Sequence, residues 1–204
     1  PHLEGRAYLI RFADDFLLCC EYKRDAQRLM KVMPKRFEKY GLEIHPEKTR
    51  LLDFRPPGAR PEGDKAPTFD FLGFTHYWGR SRSGRPLVKK RTAKDRQKRA
   101  LRSFTEFCRD ARHWPLADQH QKLCRKLNGH YGYYGTTGNT IQPRQLYNGV
   151  KRTWRKWLDR RDRQRSLTWD EFTKRVLDPF PLPPPRTVNT IQHLRQRPMA
   201  GMLC

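Results

Sequence analysis

Acidic residues are scarce in this sequence: 21 Asp+Glu stand against 44 Lys+Arg in 204 residues, a formal charge of +23. Such an imbalance favours a polyanionic partner, and nucleic acid is the default one. Long apolar runs are missing. None approaches the roughly 20 residues that cross a bilayer, and the start lacks the charged-then-apolar form of a secretory signal. A soluble protein of the cytoplasm, associated with the nucleoid or a ribonucleoprotein, or of an organelle, is expected. Cysteine is also sparse, with 5 residues, an odd number, at positions 19, 20, 108, 124 and 204. They have no framework spacing, so reduced thiols are expected. Cys108, His113, His120 and Cys124 lack the close paired spacing of structural zinc sites. No Met precedes Pro1, and a strand-like segment follows within a few residues, so the chain is expected to be a piece of something longer.

The charge is unevenly spread. Residues 1–79 hold 14 Lys+Arg and 12 Asp+Glu, a difference of +2; residues 80–175 hold 27 and 8, or +19; residues 176–204 hold 3 and 1, or +2. The excess belongs to the middle of the chain.

Local patterns divide the sequence in the same way. Residues 7–12 and 16–20 are rich in Tyr, Ile, Phe and Leu around Ala13-Asp14-Asp15, which predicts a β-hairpin tipped by two acids. Apolar residues from Ala26 to Phe37 follow a helical period, with Gly41 as the stop. Residues 42–44 and 49–54 read as strands around a Pro46 turn, and the Pro- and Gly-crowded residues 55–67 as a loop. Residues 69–79 alternate like a strand that turns near 81–85 and returns through Pro86-Leu87-Val88. Beyond residue 91 the period becomes helical: Ala100 to Cys108, Leu116 to Leu127, Leu146 to Leu158 and Trp169 to Val176 each supply one apolar face, which predicts a small bundle. Pro115 and Pro143 fall where its second and third helices start. Residues 178–186, DPFPLPPPR, are polyproline-like, and a disordered or loosely attached tail is expected over 178–204. The fold class is α+β.

Two adjacent carboxylates at a hairpin tip repel each other, so either water bathes both or a cation sits there. Phosphoryl transfer needs hard oxygen ligands of this kind to hold Mg²⁺ against phosphate oxygens.

Phe12-Ala13-Asp14-Asp15 between apolar strands resembles the catalytic hairpin of reverse transcriptases. GLEIHPEKT at 41–49 is similar to the family's next block, and FLGF at 71–74 to its primer-gripping hairpin. KLNGHYGYYG at 126–135 and LYNGVKRTWRKWLDRR at 146–161 resemble the thumb, or maturase, domain of group II intron reverse transcriptases. The resemblance implies part of a ferredoxin-like palm over 1–90, a basic helical thumb over 91–177, and intron RNA and an RNA template with DNA primer as partners. It also implies Asp14 and Asp15 as catalytic Mg²⁺ ligands. The family takes another metal-binding aspartate from upstream of this hairpin, along with the fingers, and no residue here can be assigned that role. The chain by itself is expected not to polymerise. The clustered His/Asn or Cys pairs of the nuclease domain that follows the thumb in some relatives are not found after residue 177.

The same resemblance assigns Lys48 to the leaving pyrophosphate, although it also reads as an ordinary exposed lysine. Leu72, Gly73 and Phe74 would approach the primer end, glycine letting backbone and nucleic acid come close; the alternative is a simple strand bulge. Lys89, Lys90, Arg91, Lys94, Lys98 and Arg102 form one dense basic group, and Lys151, Arg152, Arg155 and Lys156 a second. Clustering of this density suits phosphate contact. Tyr131, Tyr133 and Tyr134 either stack on unpaired bases or pack between helices, with packing expected for at least two of them. Trp154 and Trp157 are expected in the core.

Overall fold

The computed structural model of the chain describes residues 2–59, 66–161 and 166–188. The fold is α+β, and it divides into two units: Pro1–Leu72 with His76–Lys89, and Gly73–Thr75 with Lys90–Cys204. Among the described residues no helix is long and apolar enough to cross a membrane.

In the first unit, β1 (Ala7–Phe12) and β2 (Asp15–Cys20) pair antiparallel, with Ala7 opposite Cys20 and Phe12 opposite Asp15. The turn between them is Ala13-Asp14. Helix α1 (Lys23–Glu38) follows, with Phe37 packed on Phe16 of β2 at a ring separation of 6.0 Å. Asp25 in its first turn is buried, and its carboxylate accepts the backbone N–H groups of Glu4 and Gly5 at 2.9–3.2 Å. Those bonds pin the chain entering β1 onto α1. They also favour the ionised form, so the carboxyl lies below the usual Asp range, the Gly5 N–H being the largest cause. The helix ends as its sequence dictates, with Gly41 at φ 68° and the Leu42 N–H returned to the Phe37 carbonyl.

Residues 42–44 and 49–54 do not form the expected strands. A strand is held by its ladder, and this stretch is held by other means. The Thr49 N–H bonds to the His45 carbonyl around the Pro46 turn, while Leu42, Leu51 and Leu52 stay exposed. Phe54 ties the segment down. Its ring lies 4.9 Å from Phe69 and 5.5 Å from Trp78, and its carbonyl accepts the Trp78 indole N–H at 3.1 Å.

A three-stranded sheet follows in the order β3 (Phe69–Phe71), β4 (Phe74–Arg80), β5 (Pro86–Thr92). The β4–β5 turn at 81–85 forms where expected, closed by the Ser81 N–H on the Arg85 carbonyl at 2.8 Å. The continuous strand expected over 69–79 is instead cut by a tight turn at Leu72-Gly73. Gly73 is therefore a turn residue and no bulge. β4 begins and β5 ends in the second unit.

That unit is a helical bundle of α2 (Lys94–Asp110), α3 (Leu116–Tyr134), α4 (Ile141–Asp159) and a short α5 (Trp169–Phe172), which runs into a π-helical turn over Thr173–Leu177. Phe104, Leu123, Leu127, Val150, Trp154 and Phe172 make its core, each on the apolar face the sequence marked, and Tyr131 joins them one turn beyond Leu127. A polar pair crosses this core with its needs met. The Trp154 indole N–H donates to Gln119 Oε1 at 2.8 Å, and Gln119 Nε2 donates to the Trp114 carbonyl at 2.9 Å. Thr168 and Glu171 form a capping box at the start of α5.

The loosely attached tail is not what residues 178–188 form. Leu182 is buried in the core cluster, the Pro181 carbonyl lies 3.0 Å from His120 Nε2, and the Tyr131 hydroxyl donates to the Pro183 carbonyl. The Val188 N–H reaches the Gly135 carbonyl at 2.7 Å. A polyproline segment presents bare carbonyls that no internal ladder uses; here the Tyr131 hydroxyl and the His120 ring of α3 meet two of them, while Gly135 after α3 accepts a strap N–H. Residues 189–204, including Cys204, lie outside the described residues.

Candidate functional site

Among the described residues, the non-glycine residues with positive φ are Ala13 (52°) and Leu72 (50°). Each opens a two-residue hairpin turn, and each turn is one the sequence singled out for chemistry. Left-handed backbone costs a residue with a Cβ about 1 kcal/mol or more, and such strain concentrates at functional sites.

At the first turn Ala13 carries the strain and Asp14 follows it, while Asp15 opens β2 opposite Phe12. Both acids are exposed, and the Arg11 side chain braces the turn by donating from Nε to the Ala13 carbonyl at 2.9 Å. Hard carboxylate oxygens suit a divalent cation such as Mg²⁺. Among the described residues no group of three or more His, Cys, Asp or Glu converges, so the tip offers part of a ligand set. Lys48 is exposed in a separate turn at residues 46–48.

The second turn has positive φ at both Leu72 and Gly73 (75°), the geometry that suits the twist of a two-residue hairpin. A Cβ on Gly73 would lie 2.9 Å from the Tyr134 hydroxyl oxygen, so glycine is required here both for its backbone and for its bareness. Gly73, Phe74 and Thr75 are built into the second unit. The Ala93 N–H bonds the Gly73 carbonyl at 3.0 Å, and the Phe74 ring packs against Tyr133 and Tyr134 at 5.8 and 5.3 Å. Lys90 places its ammonium 5.0 Å from the Phe74 ring centroid, and burial lowers its pKa below the ordinary lysine value. Asn139 holds the end of β5 beneath this tip. Its amide accepts the Thr92 N–H at 3.0 Å and donates to Thr92 Oγ1 and the Tyr134 carbonyl, each at 2.8 Å. No local pattern marks that clamp, because Asn after Gly138 reads only as a loop residue.

The cations separate by use. Lys94, Lys98 and Arg102 recur every fourth residue along the exposed side of α2, with Arg102 on Glu106 at 3.0 Å. Lys89 lies half-buried beside Gly79, and Arg91 is half-buried on β5. On α4, Arg152 and Lys156 are exposed, whereas Lys151 lies over the Tyr147 ring. Arg155 departs from the phosphate contact expected of its group. It is half-buried, with its guanidinium carbon 4.6 Å from the Trp169 ring centroid and Nη1 donating to the Leu167 carbonyl, which joins α4 to α5.

The three tyrosines divide as well. Tyr131 is wholly buried, Tyr134 packs on Gly73, and Tyr133 keeps 52% of its surface in solvent. Trp154 is wholly buried, and Trp157 packs half-buried against the core.

An α+β chain that pairs a carboxylate-tipped hairpin with a basic helical unit has the makings of a protein that handles nucleic acid. Residues 2–76 match the family model of the reverse transcriptase (RNA-dependent DNA polymerase). The match covers less than half the chain: it runs from before β1 into β4 and stops short of the helical bundle. No curated protein matches the chain.

Proposed function

We propose that this chain is the C-terminal portion of a group II intron-type RNA-directed DNA polymerase and maturase. It grips intron RNA and an RNA template with its DNA primer, and it supports Mg²⁺-dependent nucleotidyl transfer only when the fingers and the rest of the palm are present. The observation that carries this reading is the strained Ala13-Asp14-Asp15 tip, lying inside the segment similar to reverse transcriptases. Asp14, with Asp15 beside it, would hold Mg²⁺ from one side, and the ion would neutralise charge on phosphate oxygens. The remaining roles belong to residues of this chain. Gly73 and Phe74 would hold the primer end, and the α2 and α4 cations would hold the phosphate backbone of the duplex.

A second reading is an RNA-binding splicing helper without chemistry of its own. It is favoured by the concentration of charge, +19, in residues 80–175, outside the acid-tipped hairpin.

Two assays test these readings. In the first, primer extension on an RNA template with Mg²⁺ gives no product with this chain alone. Extension by the unaided chain sinks the claim of an incomplete site. In the second, RNA affinity is measured in Mg²⁺-free buffer. Arg152→Glu with Lys156→Glu weakens it by about tenfold or more, while Asp14→Asn stays within about twofold. The reverse ranking overturns the assignment of grip to the helices and metal to the hairpin.

A further inference from the structure

We infer that Tyr133 is a stacking platform for one unpaired nucleobase beside Gly73 and Phe74, with Lys90 contacting the adjoining phosphate. This rests on the proposed nucleic-acid function and adds to it a ligand state, single-stranded, and the residues that recognise it.

The construction of the tip leads there. Phe74 is buried, and its ring is nearly parallel to Tyr133, 18° apart, with 5.8 Å between centroids. Tyr134 meets Tyr133 edge-on at 4.8 Å and 73°. The Tyr133 ring is thus fixed in two directions while about half the residue's surface stays in water. A core would bury a ring held so firmly, as it buries Tyr131 one half-turn earlier. An exposed aromatic held rigid before it meets its ligand has little ordering entropy left to lose. Bases of every identity present a π-face, so recognition would be sequence-tolerant.

The charge beside it fits the same ligand. Lys90 lies over the Phe74 ring, so cation and platform share one support. Its ammonium is partly desolvated, and no acid among the described ion pairs neutralises it. A phosphate would restore what burial removes. The ring takes the base and the ammonium takes the backbone, which is the division of labour that single-strand binders use.

The test uses the full chain and a single-stranded oligonucleotide carrying one 2-aminopurine, in RNA and DNA forms, beside a blunt duplex. Stacking quenches the probe's fluorescence. The wild-type chain and Tyr133→Phe quench it alike. Tyr133→Leu keeps apolar bulk against Phe74, yet loses the quench and about fivefold or more of single-strand affinity, with duplex affinity unchanged. Lys90→Gln keeps the quench and lowers the salt slope of binding by about one. Between the two forms, the tighter strand names the physiological source. Should Tyr133→Leu quench and bind as the wild type does, the platform is wrong while nucleic-acid binding stands. Absence of salt-dependent binding by the wild type overturns the functional reading itself.

Discussion

His130 stands on α3 with its ring 4.6 Å from Tyr134, buried enough that its pKa falls from 6.5 to about 4. Burial disfavours the imidazolium, so the folded chain keeps this histidine neutral where the unfolded chain would protonate it. The stability this contributes is complete above pH 6.5 and is lost as pH falls from 6.5 toward about 4, because the unfolded state binds the extra proton across that window. Thermal melting of the wild type should therefore fall more steeply between pH 7 and pH 4.5 than that of His130→Gln, and equal slopes would remove His130 as the cause. The burial of Lys90 has the same direction and a different use, since its charge sits at the surface of a proposed binding site. Arg155 illustrates what residue type alone conceals. Its guanidinium was expected on phosphate, and it gives one donor, Nη1, to Leu167 and lies against the Trp169 ring. Arginine serves either purpose, and only the neighbours choose.

Among the elements, two hairpin turns carry the proposed roles, and a polyproline strap packs beside the helix end that meets one of them. The strap runs past Gly135, where an added Cβ would collide with the carbonyl oxygens of Tyr131 and Arg186. Gly135 directly follows Tyr134, the residue that meets Gly73. Gly135→Ala should cost about 1–3 kcal/mol in denaturant unfolding and open the chain to trypsin at Arg186. Gly129→Ala, where a Cβ would meet nothing within 4 Å, should be neutral or stabilise by up to about 1 kcal/mol. If Gly135→Ala leaves both stability and cleavage unchanged, the strap does not brace the turn. The two hairpins were legible from their Gly, Asp and Ala residues and the apolar runs around them, and α1 to α4 from their periods. The strain at Ala13 and Leu72 was not, because neither residue type announces positive φ and the sheet pairings on both sides impose it.

At the scale of the whole molecule, the +23 charge sets the terms of association. Binding of structured RNA should weaken by about a hundredfold or more between 50 and 200 mM salt, a fall that reports counterion release from several phosphate contacts. Titration by filter binding at four salt concentrations gives the slope. An affinity indifferent to salt would contradict a grip made of surface cations. The exposed apolar strand β1 adds a second global feature, with Tyr8, Ile10 and Phe12 of one face 60%, 49% and 64% exposed. A two-stranded ribbon with such a face is marginal by itself and is of the kind that pairs with more sheet.

The sequence by itself determined the elements whose causes are local: the acid-tipped hairpin, the helix stop at Gly41, the apolar faces of the bundle and the placement of charge in residues 80–175. Period, turn chemistry and composition act within a few residues of chain, so they can be read along it. The tertiary structure alone decided that residues 42–54 form no ladder, that the prolines of 178–188 are a strap, that Tyr133 stays in water beside a buried Tyr131, and that Asn139 clamps Thr92 across 47 positions. Each of those depends on a partner far away in sequence, and hydrogen-bond donors, ring faces and buried volume are assigned only when the chain has closed on itself.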